Sequence, residues 1–348
     1  MIYKKKLALL LAIGTLLVAH TDATASADPL FADDSVIEVT IRAPLKRIMQ
    51  ERPDEDYVAG TFEYVDNTGA TVALDVGIRT RGEYRRRRDV CPFAPLRINF
   101  QKQQVDGTVF DGQDKLKLVT HCRSGHRGYV QSVLGEYLAY RMLNALTDMS
   151  FRARLIKVKY VYTDDDDEKD SYAFFIEHKD ALSKRLDLAI VKSGDVKVSA
   201  VEPVHLNLTS LFQYLIGNTD FSPVATLPGE DCCHNYVLFG SESEPLISIP
   251  YDFDQSGMAD APHAAPNPRF ELSGVHDRLY RGRCPNNDRI DASIQTFLEH
   301  RDTLFQLIED APGFTNKARK DRRKFTEEFY ETIEKDKRVD IRIRRACI

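Results

Sequence analysis

The sequence contains no tryptophan among its 348 residues. This absence removes one common core and interface anchor, but it excludes no fold. The chain also lacks a tract of strongly biased composition, because 43% of its residues are hydrophobic and 29% are charged. These fractions are typical of globular proteins and exclude a fibrous or wholly disordered chain. The length is sufficient for one large domain or two modest ones.

Sequence signatures of several enzyme classes are missing as well. There is no G-x-S-x-G, no H-E-x-x-H and no Walker loop, so the common serine hydrolase, zinc protease and P-loop arrangements are not indicated. The string Asp254-Gln255-Ser256-Gly257 is not the paired D-[ST]-G of aspartic proteases. The formal net charge is −5 and no nucleic-acid-binding motif occurs, so we predict no nucleic-acid partner.

A long apolar run occurs near the N-terminus. Basic residues 4–6 precede the apolar residues 7–18, and Ala25-Ser26-Ala27 satisfies the small-residue cleavage rule. The run is shorter than the roughly 20 residues of a membrane-spanning helix. We therefore predict a signal peptide at residues 1–27 and an exported protein, periplasmic or secreted, without stable membrane insertion. Cleavage would remove three lysines and one aspartate, which changes the formal net charge from −5 to −7.

All six cysteines lie beyond the predicted signal peptide. They are Cys91, Cys122, Cys232, Cys233, Cys284 and Cys347. An even number in an exported chain favours disulfides, and zinc is the alternative because histidines adjoin Cys122 and Cys233. The paired spacings typical of structural zinc sites do not occur. We expect the adjacent Cys232 and Cys233 to bond to two different partners, and Cys347 to fix the C-terminal tail.

Hydrophobic periodicity predicts a sheet-rich first part and a mainly helical second part. Alternating apolar residues predict strands at 36–41, 61–64, 71–78, 96–100, 116–120, 155–162 and 172–176. Helical spacing predicts helices at 133–146, 206–216, 290–308 and 315–335, and a short hairpin is expected at 236–239 and 246–249. The acidic run 164–168 is interpreted as a solvated hairpin tip. We predict an α+β protein with a sheet-rich N-terminal lobe (28–200), a mainly helical C-terminal lobe (201–348) and a ligand cleft between them.

Four polar side chains in the segment 218–257 follow predicted strand or helix ends. They are Asp220, Asn235, Asp252 and Asp254. Oxygen ligands of this kind suit Mg²⁺, which binds carboxylates together with substrate phosphates. Protein kinases use the same order of residues, with an Asp toward the acceptor hydroxyl and then an Asn and an Asp on the metal. The segment therefore predicts a magnesium-dependent phosphoryl-transfer site.

Several blocks of the sequence together resemble the CotH-type (spore coat protein H) atypical kinase family. The blocks are Arg81-Gly82-Glu83, residues 95–100, Phe175-Ile176-Glu177, residues 212–220, His234-Asn235-Tyr236 and Pro250-Tyr251-Asp252. They occur in the family's order and cover most of the chain beyond residue 27. The last three blocks are fairly specific in combination, whereas the N-terminal ones are weak individually.

The resemblance implies a two-lobed protein-kinase-like fold that transfers the γ-phosphate of ATP, with Mg²⁺, to Ser or Thr of an unidentified protein substrate. It implies that Asp220 is the catalytic aspartate and that Asp252, with Asn235 and Asp254, holds the metal. The predicted nucleotide contacts are Arg81, Arg97, Lys117 and Glu177. Because Arg97 stands where a phosphate-binding lysine is expected, Lys115 or Lys117 is predicted to serve instead. Glu177 and Glu136 are both candidates for the carboxylate partner of that cation.

Two other functions are compatible with the sequence. One is a catalytically inactive kinase-like protein that binds a ligand or acts as a scaffold in the cell envelope. The other is a phosphatase of the haloacid dehalogenase type, because Asp252-Phe253-Asp254-Gln255-Ser256 loosely fits D-x-D-x-[TV]. The basic run 85–88 is interpreted as a solvated loop with one or two arginines turned toward the cleft. The sequence does not indicate the oligomeric state.

Overall fold

The computed structural model describes residues 28–226, 229–241 and 244–348. The predicted signal peptide lies outside the described residues. The strands are β1 (Ile37–Ala43), β2 (Val58–Val65), β3 (Thr71–Thr80), β4 (Leu96–Phe100), β5 (Lys115–Val119), β6 (Ala153–Tyr162), β7 (Asp167–Ile176), β8 (Tyr236–Phe239) and β9 (Ile247–Pro250). The α-helices are α1 (Leu45–Glu51), α2 (Lys102–Val105), α3 (Arg127–Leu146), α4 (Lys179–Leu186), α5 (Pro203–Ile216), α6 (Ile290–Glu299), α7 (Arg301–Asp310), α8 (Asn316–Ile333) and α9 (Asp336–Val339).

The first seven strands form a closed mixed barrel in the order β1-β2-β3-β4-β5-β7-β6. Neighbouring strands are antiparallel except β1 and β6, which pair in parallel with Val39 opposite Val158 and close the barrel. The predicted two-lobed kinase-like fold is therefore wrong, because the first seven strands close into a barrel without an open edge and most of the helices lie C-terminal to it. Alternation along each strand specified which side chains face inward, but it carries no information about which edge strands pair.

The barrel interior is filled by the inward-facing residues of every strand. On β4, Leu96, Ile98 and Phe100 are buried, while Arg97 and Asn99 between them are partly exposed. Aromatic rings close the interior, with Phe62 packed edge-on against Phe100 at 5.4 Å between centroids. This alternation of apolar and polar residues with a period of two is what a half-buried strand requires.

A second apolar core lies between the outside of the barrel and the helices. The long helix α3 contributes Tyr137 and Tyr140, which pack against Phe174 on the outer face of β7. The predicted single helix at 290–308 is two helices, because the first ends at Glu299 and the second begins at Arg301. From Tyr251 to the C-terminus, all of which is described, the regular elements are helical.

Three disulfides connect the six cysteines, which confirms the prediction of disulfide bonds. The pairs are Cys91–Cys122, Cys232–Cys233 and Cys284–Cys347. The expectation of separate partners for the two adjacent cysteines is wrong, since they bond to each other. The tail is fixed as predicted, by Cys347. No helix in the described ranges has the length and apolar character needed to cross a membrane.

Candidate active site

Two basic residues lie side by side on the outer face of the barrel. Arg97 on β4 is opposite Lys117 on β5 in the antiparallel register, so both side chains project from the same face. Both are partly buried. The Lys117 ammonium lies 4.7 Å from the centre of the Tyr251 ring, a cation–π contact that holds it beneath the segment leading to Asp252.

A cavity of about 290 Å³ opens beside these two cations. Its apolar wall is formed by Phe151, Ile176, Ile190, Val191, Tyr236, Val237 and Tyr251 together with the Cys232–Cys233 disulfide. Its charged lining comprises Arg97, Lys117, Lys179 and Lys192 against Glu177 and Asp231, with His178 nearby. The volume approaches the lower end of the range for small-molecule sites, and the excess of cations favours an anionic ligand with an apolar portion.

Among the described residues, Lys117 has no carboxylate within ion-pair distance. Burial, reinforced by the nearby Arg81, lowers the pKa of Lys117 to about 7. A lysine in this setting is neutral in a large fraction of molecules at neutral pH, and it gains a proton when an anion binds beside it. Lys117 is therefore suited to bind a phosphate group.

Lys117 is expected to react with an acylating reagent at neutral pH faster than an ordinary lysine, whose pKa is about 10.4. Its labelling rate, followed by peptide mass spectrometry between pH 5.5 and 10, should rise with a midpoint near pH 7. We expect the rate at pH 7 to exceed that of the exposed Lys115, on the same strand, by at least about tenfold. A midpoint near pH 10 for Lys117 would contradict the assignment.

Glu177 lies on the wall of the same cavity but is engaged elsewhere. Its carboxylate receives two hydrogen bonds from Arg185, both of 2.9 Å, and a third of 3.0 Å from the backbone N–H of Arg152. The side chain is almost fully buried. The structure thus brings Glu177 to the predicted site while pairing it with Arg185 rather than with Lys117.

A cluster of three acids surrounds Arg85. The guanidinium of Arg85 lies 3.1 Å from Asp254, 3.3 Å from Asp252 and 3.4 Å from Glu136. Arg85 and Glu136 are buried, whereas the side chain of Asp252 is 34% exposed. One member of the predicted basic cluster is therefore turned inward, as the sequence suggested, and it makes the central contact of the site.

Burial and neighbouring charges shift the pKa values of the three acids in different directions. Burial raises the pKa of Glu136 to about 8, although Arg85 opposes this effect. Burial also raises the pKa of Asp252, assisted by the adjacent charge of Asp254. For Asp254 burial acts in the same direction, but the ion pair with Arg85 outweighs it and lowers the pKa to about 2. Burial therefore favours the protonated forms of Glu136 and Asp252, whereas the ion pair with Arg85 favours the ionised form of Asp254.

The backbone of Asp252 has an uncommon conformation. Its φ is 63°, and that of Asn235 is 57°, so both residues lie in the left-handed region that Asp and Asn tolerate better than most side chains. The N–H of Asp252 donates to the hydroxyl of Tyr140 at 2.9 Å, which anchors this turn to α3. Such conformations persist where surrounding contacts impose them, and they are frequent at functional sites.

Asp220 belongs to a neighbouring polar cluster. His234 lies 2.8 Å from one carboxylate oxygen of Asp220, and the amide of Asn235 donates to the other at 3.2 Å. The hydrogen bond with Asp220 raises the pKa of His234, and Asp252 adds to this effect. The N–H of Tyr251 donates to the carbonyl of Asn235 at 3.0 Å, so the two acidic clusters are joined through Asn235.

The predicted metal ligands are brought to one region but not into one shell. In the described part of the chain, the side-chain oxygens of Asp220, Asp252 and Asp254 do not gather within 4.8 Å of one another. Their chemistry nevertheless fits Mg²⁺, since the donors are carboxylate and amide oxygens. One oxygen of the buried Glu136 also lacks a hydrogen-bond partner among the described residues, and three acids share one adjacent arginine.

Arg81 lies on the edge of the same cluster. Burial and the charge of Arg85 lower the pKa of Arg81, while Asp252 and Glu136 act in the opposite direction. Its backbone N–H donates to Pro95 at 2.9 Å, which fixes the turn after β3. The charges of the predicted nucleotide contacts Arg81 and Arg97 both act on the third, Lys117, so the three cations lie in one region.

Tyr140 and His263, which contact the acidic cluster, were not among the residues predicted from the sequence. Tyr140 lies on the buried face of α3, four residues after Glu136. The charged Glu136 on this face is a signal of a functional contact, and the helical period places Tyr140 beside it. His263 lies 3.4 Å from Asp254 and comes from a loop without regular structure. No local pattern in the sequence identifies it.

No protein-family model and no curated protein matches this chain. The resemblance to CotH-type kinases therefore stays a prediction.

Proposed function

We propose that this protein transfers the γ-phosphate of ATP, with Mg²⁺, to Ser or Thr of a protein substrate. The observation that carries the proposal is the placement of a cation-lined cavity directly beside two clusters of acids. Phosphoryl transfer depends mainly on positioning and on neutralising charge, so it needs this combination of groups more than it needs a covalent nucleophile.

In this proposal the cavity binds the nucleotide. The apolar wall with Tyr236 and Tyr251 accepts the base, and the phosphates lie toward Arg97, Lys117 and Arg81. Lys117 suits this role because its ammonium is not committed to a carboxylate among the described residues. Glu177 supports the cavity wall through its ion pair with Arg185. Its carboxylate accepts three hydrogen bonds, two from Arg185 and one from the backbone N–H of Arg152.

The acidic residues divide the remaining tasks. Asp252 and Asp254, with Asn235, would hold Mg²⁺ toward the phosphates, and Mg²⁺ when bound supplies charge neutralisation on the phosphate oxygens. Asp220 would accept the proton of the attacking hydroxyl, and His234 and Asn235 fix its carboxylate in place. Arg85 keeps Asp254 ionised and so preserves its capacity to bind a cation.

A second candidate is a protein that binds a ligand without turnover. It is favoured by the internal pairing of the key acids, since Asp252 and Asp254 contact Arg85 and Asp220 contacts His234. The haloacid dehalogenase alternative is less well supported. That chemistry requires further βα units after the D-x-D motif, and the described residues after β9 are helical or irregular.

Titration calorimetry with ATP tests the binding step. We expect one ATP per chain in the presence of Mg²⁺ and at least about tenfold weaker binding with EDTA. Replacement of Lys117 by methionine should weaken binding by at least about tenfold, because it removes a charge-assisted contact worth about 1.5–3 kcal/mol. Lys115, the other cation predicted for this role, is exposed and is not among the residues that line the cavity, so Lys115→Met is the control and should leave binding unchanged. Absence of ATP binding, or equal binding by Lys117→Met, would contradict the proposal.

A further inference from the structure

A second group of side chains that can bind a metal lies next to the acidic cluster, where His263 contacts Asp254. The sulfur atoms of Cys91 and Cys122 and a ring nitrogen of His263 all lie within 4.8 Å of one another. All three side chains are largely shielded from solvent, with 0% and 3% exposure for the two cysteines and 7% for the His263 side chain. The cysteines form a disulfide in this state.

The histidine is oriented as zinc-binding histidines are. Its Nδ1 faces the sulfur of Cys122 at 3.9 Å, while its Nε2 faces the carboxylate of Asp254 at 3.4 Å. A histidine that binds zinc through one nitrogen commonly pairs the other with a carboxylate, which fixes the ring and the tautomer. The ring also stacks on Tyr129 with an angle of 10° between the planes.

The spacing of the ligand atoms suits a tetrahedral ion. Zinc–sulfur and zinc–nitrogen bonds of about 2.3 and 2.0–2.1 Å place neighbouring ligand atoms roughly 3.5–3.8 Å apart. The distance of 3.9 Å between Cys122 and His263 is already close to this value. The two bonded sulfur atoms must move apart, which becomes possible when the disulfide is broken.

We propose that the reduced protein binds one Zn²⁺ through Cys91, Cys122 and His263, and that oxidation to the disulfide excludes the ion. A dithiol reductant supplies two electrons and two protons, the bond between the sulfurs breaks, and the reductant becomes a disulfide. Zinc binding then displaces one proton from each thiol. Water would complete the fourth position. This inference does not rest on the proposed phosphoryl transfer, although His263 contacts Asp254 of that site.

The test is metal analysis of the purified protein in both redox states. The protein is reduced with a dithiol, freed of reductant without oxygen, incubated with Zn²⁺ and passed through a desalting column. We expect about one zinc per reduced chain and essentially none per oxidised chain. Cobalt in place of zinc should give the absorption of a tetrahedral thiolate complex.

Matched variants separate this site from the Cys232–Cys233 pair. Cys91→Ser with Cys122→Ser should abolish stoichiometric zinc binding, whereas Cys232→Ser with Cys233→Ser should leave it intact. His263→Ala, which keeps all cysteines, should weaken zinc binding by at least about tenfold and lower the cobalt absorption even if the double serine variant fails to fold. A reduced protein without zinc, or zinc retained in the Cys91 and Cys122 variant, would overturn the proposal.

Discussion

Replacement of Arg85 by alanine is expected to lower the free energy of unfolding by about 3–5 kcal/mol, the range for removal of one partner from a buried ion pair. The change leaves Glu136, Asp252 and Asp254 without their shared cation, and Arg85 itself is only 9% exposed at its side chain. Urea unfolding followed by circular dichroism at pH 7 measures the loss. Arg87→Ala, in the same basic run but paired with Asp89 at the surface, should have no measurable effect.

The effect of Arg85 should also depend on pH. The folded-state pKa of Asp254 is about 2, below its ordinary value of 3.8, so its ion pair stabilises the protein above that ordinary value. This stabilisation is lost as the pH falls from 3.8 toward 2, because the unfolded chain then binds a proton that the folded chain does not. The difference in unfolding free energy between wild type and Arg85→Ala should therefore decrease as the pH falls over this range. A difference in unfolding free energy that does not change with pH would indicate that lost packing, rather than lost charge, explains the destabilisation.

Asp252→Asn is expected to reduce phosphoryl transfer by about 100- to 1,000-fold, the loss observed when one strong electrostatic contact to a developing charge is removed. Asparagine tolerates the left-handed backbone at this position, so the variant should fold. Its amide cannot supply the negative charge that a magnesium ion requires. The measurement is the initial rate of labelled phosphate incorporation at saturating ATP.

Asp260→Asn is the matched control for this variant. Asp260 also has a left-handed backbone, with φ of 52°, but its carboxylate contacts His276 instead of Arg85. The control should retain the wild-type rate. If Asp252→Asn also retains it, Asp252 does not hold a metal that the reaction needs.

Local patterns in the sequence predicted most elements of the fold but not their arrangement. The strand at 96–100 was predicted with the observed bounds, because Leu96, Ile98 and Phe100 alternate with polar residues. Closure of the barrel depends on the parallel pairing of β1 with β6, two segments more than a hundred residues apart. Pairing over such a separation is decided by the packing of the whole interior, so the two-lobed fold was predicted wrongly.

The candidate site was likewise predicted only in part from the sequence. The position of Asp252 after β9 and the basic run 85–88 were visible in the sequence. Which arginine turns inward was not, because Arg86 pairs with Asp54 and Arg87 with Asp89 at the surface, and only their surroundings distinguish them from Arg85. Glu136 could be predicted as a site residue because the helical period places it on the buried face of α3. His263 could not be found, since its loop has no periodic pattern.

The most direct test of the central claim is phosphate transfer by the purified protein. Wild-type protein is incubated with γ-labelled ATP, Mg²⁺ and candidate protein acceptors, itself included, and labelled residues are identified after hydrolysis. We expect labelled phosphoserine or phosphothreonine that requires Mg²⁺ and is lost in Asp252→Asn. ATP binding without transfer to any acceptor would contradict the catalytic role and would favour a protein that only binds its ligand.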